Sequence, residues 1–590
     1  MIMARCFAGV SAFAPGNACF GGTLDSRARI VRLAVALAAE PGRVRRWLKA
    51  AIVSLGLLEA LSQMHDTNPD AISYLDLGSA FWRGDPVWIN GLWSPLYGIV
   101  CVGISKLLHL PPAWEYAVCH LVNFLMYALA LLAFDFFLSW LLASVDSASA
   151  LPPPVVSCLF VLSYAVFLEW NHSLLVWLSP DLAISACFLC AVALLLRIRF
   201  QGSDSSGCYL LGAVLGTGYL AKTPVLPLGV CLLLALTVYL PSAKRRLVGL
   251  LQASFVFMLL AGLYIVPLSL RSGKLTSGES AKLNYAWHVQ GVQYIHWQGD
   301  PVHGHPVHPT RQLMDSPQVF GFGEPLDATY AAYYDPSFWF VGLQTPFSLR
   351  DQAAAVLASL KDYGKLIFTW QNAALLLVIV GLLTLDASPG FRGYGRALRS
   401  WLPLLLWAVF GMALFGLVHV EERYVTAFPA VAWPLLLAVA LAIQPKPAAF
   451  VRFLWWASAV VLSATLIGMV PEMARGVAAI RSFRNPDSNP AWVVARQSRA
   501  FGLKPGDRIA ALGVSFHHAY WARPAGYRIV AEMPKPLEYW TSSEETQQAA
   551  REKLRSTGAL FLIAIEVPPS ALSQGWRQIG STSYFILPLP

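Results

Sequence analysis

Long apolar stretches recur along this 590-residue chain and constrain its fold more than any other feature. A helix needs roughly 17 to 25 predominantly apolar residues to span a bilayer. The stretches that approach this requirement are 47–64, 94–110, 113–142, 153–168, 181–198, 206–222, 224–241, 247–267, 366–385, 400–418, 424–443 and 453–471. Only 13% of the residues are charged, whereas an ordinary soluble domain has roughly 25%. The sequence therefore predicts a mainly α-helical protein that crosses a membrane many times, and it excludes a soluble enzyme.

Clusters of Lys and Arg beside the apolar stretches indicate how the chain is oriented. Cytoplasmic loops of membrane proteins carry an excess of these residues, and the clusters lie at 43–49, 197–199, 244–246, 392–399 and 446–452. The cluster at 197–199 would lie on the wrong side if every stretch crossed. We therefore predict that 94–110, which contains Lys106 and His109, is re-entrant or lies on the surface. The result is a bundle of about 11 spans. The same clusters account for the net charge of +10, so we expect no nucleic-acid partner.

This orientation divides the chain into predicted domains. They are a disordered cytoplasmic tail at 1–46, a transmembrane domain at 47–471 with outer segments at 65–112 and 268–365, a linker at 472–490, and a small α/β domain outside the membrane at 491–590. The last domain is predicted from β-rich runs at 508–512, 527–531 and 559–565 and from a polar helix near 544–555. It has no glycine-rich phosphate motif, so we expect no nucleotide there. Residues 349–366 are predicted to form an amphipathic helix on the bilayer surface.

Two acidic residues are predicted to lie at the outer surface of the membrane. Asp70 follows the first span, and Asp181 starts a later one after Pro180. A carboxylate in this position can accept a proton from an acceptor that attacks a lipid-linked head group. Capping of a helix N-terminus explains each of them equally well taken singly. Together they could instead hold a divalent metal, magnesium or manganese, that bridges a phosphate.

Two cations lie on the same predicted side, where positive residues are less expected. Lys222 lies in a tight turn between two spans, and Arg423 lies with Tyr424 at another junction. Such cations bind phosphate well, although they also occur at the interface merely because their long side chains reach water. Histidines cluster at 288–308, but their spacing matches no structural zinc pattern, so a polar loop is the favoured interpretation.

Several short motifs resemble the GT-C superfamily of polytopic glycosyltransferases. The resemblance covers residues 47 to about 445 and is to the family-39-like members, related to protein mannosyltransferases, aminoarabinose transferases and rhizobial lipopolysaccharide glycosyltransferases. The motifs that carry it are the outer Asp70-x-x-x-Tyr74 stretch, Ser94-Pro-Leu-Tyr97, Pro180-Asp181, Gly218-Tyr-Leu-Ala-Lys222-Thr-Pro224 and Glu422-Arg423-Tyr424.

The resemblance implies roles for these residues. Asp70 would be the catalytic base and Asp181 the second outer acid, while Lys222 and Arg423 would bind the lipid phosphate. The motif tyrosines Tyr74, Tyr97 and Tyr424 are assigned to substrate binding. The metal requirement is left open.

The resemblance also implies a reaction and a location. The protein would move a sugar from a polyprenyl-phosphate donor to a lipid, glycan or protein acceptor, by an inverting single displacement, at the outer face of the bacterial cytoplasmic membrane. The alternative is a transporter or flippase, which should carry ionisable residues within its spans. Asp135 is the only clear acid of that kind. A non-catalytic scaffold is the third interpretation.

Overall fold

The computed structural model describes residues 40–145, 151–202, 205–385, 390–441, 448–482, 489–513 and 515–589. Residues 1–39 of the predicted cytoplasmic tail and residues 483–488 of the predicted linker lie outside these ranges.

The described residues are mainly helical, as the apolar stretches predict. The helices of eight residues or more are α1 (Pro41–Ser62), α2 (Pro69–Arg83), α3 (Leu96–Leu107), α4 (Glu115–Ala143), α5 (Pro153–Asn171), α6 (Asp181–Gln201), α7 (Ser205–Ala221), α8 (Val225–Tyr239), α9 (Ala243–Ser272), α10 (Ser280–His288), α11 (Leu349–Ile367), α12 (Trp370–Leu385), α13 (Gly390–Gly416), α14 (Ala427–Leu441), α15 (Ala448–Ser482), α16 (Pro490–Gln497) and α17 (Glu544–Arg555).

Within the described residues, six helices are long and apolar enough to cross a membrane, or seven if the bent pair at 349–381 is one span. The protein is therefore a multi-pass membrane protein, and the number of about 11 spans stays a prediction. Helix α3 has 12 residues, which gives a length of about 18 Å. The hydrocarbon core of a bilayer is roughly 30 Å thick, so α3 is too short to cross it unaided.

Asp135 lies near the end of α4 and is held by cations from the first helix. Its carboxylate accepts hydrogen bonds from Arg45 Nε at 2.5 Å and Lys49 Nζ at 2.8 Å. The hydroxyl of Tyr164 on α5 also donates to it. The acid that a transporter would need is thus used to join three helices.

The described residues also form one seven-stranded sheet, with strand order β1-β2-β4-β3-β5-β7-β6. Its strands are β1 (Arg311–Asp315), β2 (Gln318–Gly321), β3 (Arg508–Leu512), β4 (Arg528–Met533), β5 (Phe561–Ile565), β6 (Arg577–Gln578) and β7 (Tyr584–Pro588). The central strand β3 pairs parallel with β4 and β5, and β2 pairs antiparallel with β4. Strands β3, β4 and β5 lie close to where the sequence predicts them, whereas β6 and β7 were not predicted, and β1 and β2 come from the 268–365 segment. One sheet therefore joins two segments that the sequence divides into separate domains.

Helices α2 and α3 cross with their backbones in contact. A Cβ atom on Gly98 would collide with the carbonyl oxygen of Tyr74, and one on Gly78 would collide with the carbonyl oxygen of Gly98. Because only glycine permits this approach, the crossing fixes α2 against the bundle. Asp70 lies in the first turn of α2, so the crossing also fixes the position of this acid.

A buried arginine attaches the C-terminal segment to the same helix. Arg523 donates to Asp76 on α2 at 2.6 Å and to Glu115, the first residue of α4, at 2.8 Å. Asp76 also accepts hydrogen bonds from the backbone and hydroxyl of Thr329. The helix that carries Asp70 is therefore connected to both segments of the sheet.

Candidate active site

A cavity of about 780 Å³ lies where α2, α8, α10 and the end of α13 meet. Among the residues predicted from the sequence, its walls include Asp70, Tyr74, Lys222, Arg423 and Tyr424. Asp181 lies directly behind Lys222 and is bonded to it. Segments separated by more than 300 positions in the chain thus bring their charged side chains to one place.

Asp70 and Arg423 form the central ion pair of this cavity. The guanidinium NH1 of Arg423 donates to Asp70 Oδ2 at 2.8 Å, and the hydroxyl of Tyr333 donates to Asp70 Oδ1 at 3.2 Å. The cap of α2 is Asn68, and its side chain accepts from the backbone of Leu178. Helix capping by Asp70, one of the two interpretations of the sequence, is therefore wrong, because its carboxylate is directed to Arg423 and Tyr333.

Lys222 and Asp181 form the second ion pair. Lys222 Nζ lies 2.5 Å from Asp181 Oδ1, and the hydroxyl of Ser179 donates to Asp181 Oδ2 at 2.7 Å. No capping hydrogen bond is made at Pro180, the residue before α6. The carboxylate of Asp181 thus serves Lys222 and does not satisfy the backbone at the helix end.

The ring of Tyr424 contacts both cations. Lys222 Nζ lies 4.2 Å from its centroid and the guanidinium carbon of Arg423 lies 5.0 Å from it, both close enough for cation–π attraction. Trp177 covers Arg423 from another side, at 4.8 Å. The two positive groups are therefore held side by side on aromatic surfaces.

Glu421 is a site residue for which the sequence interpretation gave no role. It accepts from Arg423 Nε at 2.5 Å and contacts His419 Nε2 at 3.3 Å. Burial would raise the pKa of this carboxyl, but the hydrogen bond from His419 and the charge of Arg423 outweigh it and lower the pKa to about 2. For Arg423, burial is outweighed by Asp70 and the other acidic neighbours, so its pKa is raised. Both groups are fully ionised at neutral pH.

Two histidines of the cavity wall are stacked on each other. The rings of His288 and His419 lie 3.8 Å apart and are nearly parallel, at 3°. Burial, and next to it the nearby His419, lowers the pKa of His288 to about 4 against the opposing effect of Glu421. His288 is therefore neutral at physiological pH.

The motif tyrosines separate into two groups. Tyr74 and Tyr424 line the cavity. Tyr97 is buried behind Tyr74, with ring centroids 5.4 Å apart, and its hydroxyl donates to Asn123 at 2.9 Å. Tyr97 is not part of the cavity wall and packs behind Tyr74, so its assignment to substrate binding stays a prediction.

The C-terminal segment supplies one wall residue that the sequence gave no means to find. Phe516 lines the cavity and packs edge-to-face on Tyr333, with centroids 4.5 Å apart. Both residues come from regions outside the motifs, and the shared sheet, together with the contacts of Arg523 and Thr329 to Asp76, holds their segments against α2.

The described residues contain no group of three or more His, Cys, Asp or Glu side chains placed to hold a metal ion. Oxygens of Asp70 and Asp181 are bound to Arg423 and Lys222. A divalent ion would have to displace these cations from the carboxylates. In the histidine-rich loop, His303 bonds to Asp300, and His308 stacks on Phe338.

No protein-family model and no curated protein matches the sequence. Among solved structures, the chain is similar to ArnT from Cupriavidus metallidurans bound to undecaprenyl phosphate, with 13% identity, coverage of 92% of this chain and 97% of that one, and a TM-score of 0.48. It is also similar to the Archaeoglobus fulgidus oligosaccharyltransferase in complex with zinc and sulfate, with 11% identity, coverage of 87% and 67%, and a TM-score of 0.43. Both have the GT-C fold that the sequence motifs resemble.

Proposed function

We propose that the protein is a membrane glycosyltransferase that moves a sugar from a polyprenyl-phosphate donor to a lipid, glycan or protein acceptor. Its place would be the outer face of the bacterial cytoplasmic membrane. The observation that carries the proposal is the convergence of a carboxylate, Asp70, with two cations, Arg423 and Lys222, in one cavity. A base and a phosphate-binding pair are what a single displacement at an anomeric carbon requires.

Donor binding would change the pairing of Arg423. In the free protein its guanidinium contacts the carboxylates of Asp70 and Glu421. A phosphodiester competes with Asp70 for the same fork of donors, because Arg binds both kinds of oxyanion through paired hydrogen bonds. Once the phosphate takes that position, Asp70 is free to accept a proton.

The residues of the site account for both the proton and the leaving group of this reaction. The acceptor oxygen attacks the anomeric carbon as its proton passes to Asp70, and the bond between that carbon and the phosphate oxygen breaks with inversion. The leaving polyprenyl phosphate gains negative charge, which Arg423 and Lys222 stabilise. Asp70 afterwards releases the proton to water.

The lipid chain of the donor would lie along the apolar side of the cavity. This side contains Leu226 and Pro227 of α8 and Leu414, Phe415 and Val418 around the end of α13. Phe415 stacks on Tyr424, the ring that both Lys222 and Arg423 contact. The phosphate and the first isoprene units can therefore be bound at the same time.

The test is transfer by purified full-length protein supplied with a panel of radiolabelled polyprenyl-phosphate sugars and a membrane extract as the acceptor source. Asp70→Asn should lower the rate by about 100-fold or more, because a positioned base contributes roughly 10² to 10⁴. Asp315→Asn, which changes an exposed acid on β1 away from the cavity, is the matched control and should transfer normally. Normal transfer by Asp70→Asn would show that the assignment of the base is wrong.

A further inference from the structure

The carboxylate of Asp70 has two hydrogen-bond partners, and donor binding would remove only one of them. Within the part of the chain that the structure describes, Asp70 accepts from Arg423 NH1 at Oδ2 and from the hydroxyl of Tyr333 at Oδ1. In the proposed reaction the lipid phosphate takes the place of Asp70 on Arg423. Tyr333 is then the described side chain that still holds the base.

The hydroxyl of Tyr333 serves Asp70 as a donor. The carboxylate that pairs with Arg423 accepts hydrogen bonds, so the phenol has to supply the proton between the two groups. Tyr333 is 7% exposed. Burial, followed by the negative charge of Asp70, raises the pKa of the phenol, although Arg423 opposes this. The phenol therefore keeps its proton at neutral pH and does not replace Asp70 as the base.

Two aromatic rings from other segments hold the ring of Tyr333. Trp93 packs edge-to-face on it with centroids 5.5 Å apart, and Phe516 does so with centroids 4.5 Å apart. All three residues line the cavity. A tyrosine ring turns about only two side-chain bonds, so these contacts fix the position of its hydroxyl.

The backbone of Tyr333 is attached to the helix that carries Asp70. Tyr333 lies in the short helix Ala331–Tyr334, which begins two residues after Thr329. The backbone N–H and the hydroxyl of Thr329 donate to Asp76 at 2.9 and 2.8 Å. Asp76 lies six residues after Asp70 on α2, which is about 9 Å along the helix. The phenol and the base are therefore held together by contacts that do not involve Arg423 or the donor.

We propose that Tyr333 is a positioning residue that holds Asp70 Oδ1 while the donor occupies Arg423, so that Asp70 Oδ2, the oxygen that Arg423 releases, receives the proton of the acceptor. This inference rests on the proposed function, because it assigns the orientation of the base in that reaction. A carboxylate held at one oxygen presents the other in a constant direction, as a positioned base requires.

Each bond and proton of this step is accounted for. The acceptor oxygen forms its bond to the anomeric carbon as its proton passes to Asp70 Oδ2. The bond between that carbon and the phosphate oxygen breaks, and polyprenyl phosphate leaves with the electron pair. Tyr333 keeps its own proton throughout.

The experiment compares Tyr333→Phe with Tyr334→Phe in purified full-length protein in nanodiscs. Each change removes one buried hydroxyl and keeps the aromatic ring. Tyr334 is the matched control from the same short helix, because its hydroxyl donates to the backbone carbonyl of Val87 at 3.0 Å. The measurements are kcat and KM, with the polyprenyl-phosphate sugar that the wild type transfers fastest, and the Kd of polyprenyl phosphate without a sugar.

Tyr333→Phe should lower kcat about tenfold, the effect of one lost hydrogen bond to a charged group. Its KM for the donor and its Kd for bare polyprenyl phosphate should stay at the wild-type values, and Tyr334→Phe should keep all three. An unchanged kcat in Tyr333→Phe, or a loss of kcat that Tyr334→Phe shares, would overturn the inference. Weaker binding of the bare lipid at an unchanged kcat would also overturn it, because the hydroxyl would then bind the donor.

Asp70→Asn distinguishes this inference from the proposed function. If Asp70→Asn transfers normally, the base is misassigned and the proposed mechanism fails. If Asp70→Asn is inactive while Tyr333→Phe transfers like the wild type, only the role of Tyr333 is wrong. The double variant Asp70→Asn/Tyr333→Phe should have the kcat of Asp70→Asn, because the hydroxyl acts through the carboxylate. A further loss in the double variant would contradict that route, and melting temperatures show whether each protein is folded.

Discussion

Lys222 and Asp181 form a largely buried ion pair, so the loss of either charge alone should destabilise the fold. The Asp181 side chain is 2% exposed and its partner Lys222 is 21% exposed. Removing one member of a buried pair leaves the other charge without compensation. We expect Lys222→Met to lower the free energy of unfolding by about 3 kcal/mol, seen as a reduced melting temperature in detergent.

The double variant Lys222→Met/Asp181→Asn separates stability from binding. It removes both charges, so the melting temperature should recover toward that of the wild type. Binding of polyprenyl phosphate should stay weak, because the cation is still missing. If binding recovers together with stability, Lys222 has only a structural role.

His288 gives the site a pH dependence with a defined sign. Burial and the neighbouring His419 lower its pKa to about 4 in the folded protein, although Glu421 opposes them, whereas an unperturbed histidine has a pKa of roughly 6.5. Between these values the unfolded chain binds a proton that the folded chain does not. The stability from neutral His288 is therefore complete above about pH 6.5 and is lost as the pH falls toward about 4.

We expect His288→Gln to reduce this dependence. Over pH 6.5 to 4 the melting temperature of the wild type should fall more steeply than that of the variant, which carries no titrating group at this position. The comparison at pH 7.5 is the control for the change in packing and sets the baseline difference. Parallel curves across the range would contradict the burial of a neutral His288.

At the residue scale, the sequence could predict the groups that carry formal charge in short motifs. Charged residues next to predicted spans are rare, because placing a charge near the bilayer is energetically unfavourable. The sequence therefore drew attention to Asp70, Asp181, Lys222 and Arg423. Glu421 and Glu422 both precede Arg423 in the chain, and the sequence alone does not show which of the two carboxylates lies in the cavity. Uncharged wall residues such as Trp287 give no local signal, since a tryptophan in a loop most often packs in a core.

At the element scale, the glycine crossing of α2 and α3 offers a direct test. Gly98→Ala would place a Cβ atom against the carbonyl oxygen of Tyr74, and a backbone atom cannot move without its helix. We expect a loss of about 2 kcal/mol in the free energy of unfolding, in the range found for overpacked sites. Transfer should fall as well, since α2 carries Asp70.

The matched control for this crossing is Gly262 in α9. A Cβ atom there meets nothing within 4 Å, so Gly262→Ala should be neutral or stabilise the helix by about 0.5 to 1 kcal/mol. Similar melting temperatures and rates for the two alanine variants would show that the close approach of α2 and α3 is unimportant for the site.

Secondary structure was more predictable than the path of the chain. Apolar length located the long helices, and β-rich runs located strands β3, β4 and β5, because both signals are local in sequence. Strands β6 and β7 were not predicted. Strands β1 and β2 were missed because Arg311–Gly321 is polar, short and bounded by loops. The pairing of β2 with β4 depends on a partner about 200 positions away, and no local pattern reports it.

At the scale of the whole molecule, the sheet makes the outer segments one structural unit. Strand β2 of the 268–365 segment pairs with β4, which is more than 200 residues later in the chain. The buried Glu532 on β4 also bonds to His296 at 2.7 Å and accepts from Tyr330 at 2.9 Å. Helix α10, which lines the cavity, and Phe516 are therefore held by the same framework, so substitutions in the C-terminal segment should change the shape of the cavity.

Arg523 provides the sharpest test of this unity, because it joins the C-terminal segment to α2 and α4 through buried carboxylates. Its side chain is 13% exposed, and Arg523→Met would leave Asp76 and Glu115 without their cation. We expect the free energy of unfolding to fall by about 3 to 5 kcal/mol, with lower transfer because α2 carries Asp70.

Arg508→Met is the control. Its pair with Glu324 joins the C-terminal and 268–365 segments of the sheet but is 38% and 73% exposed, so it should cost at most about 1 kcal/mol. If both variants melt and transfer alike, the C-terminal segment is not anchored at Arg523, and the cavity does not depend on it.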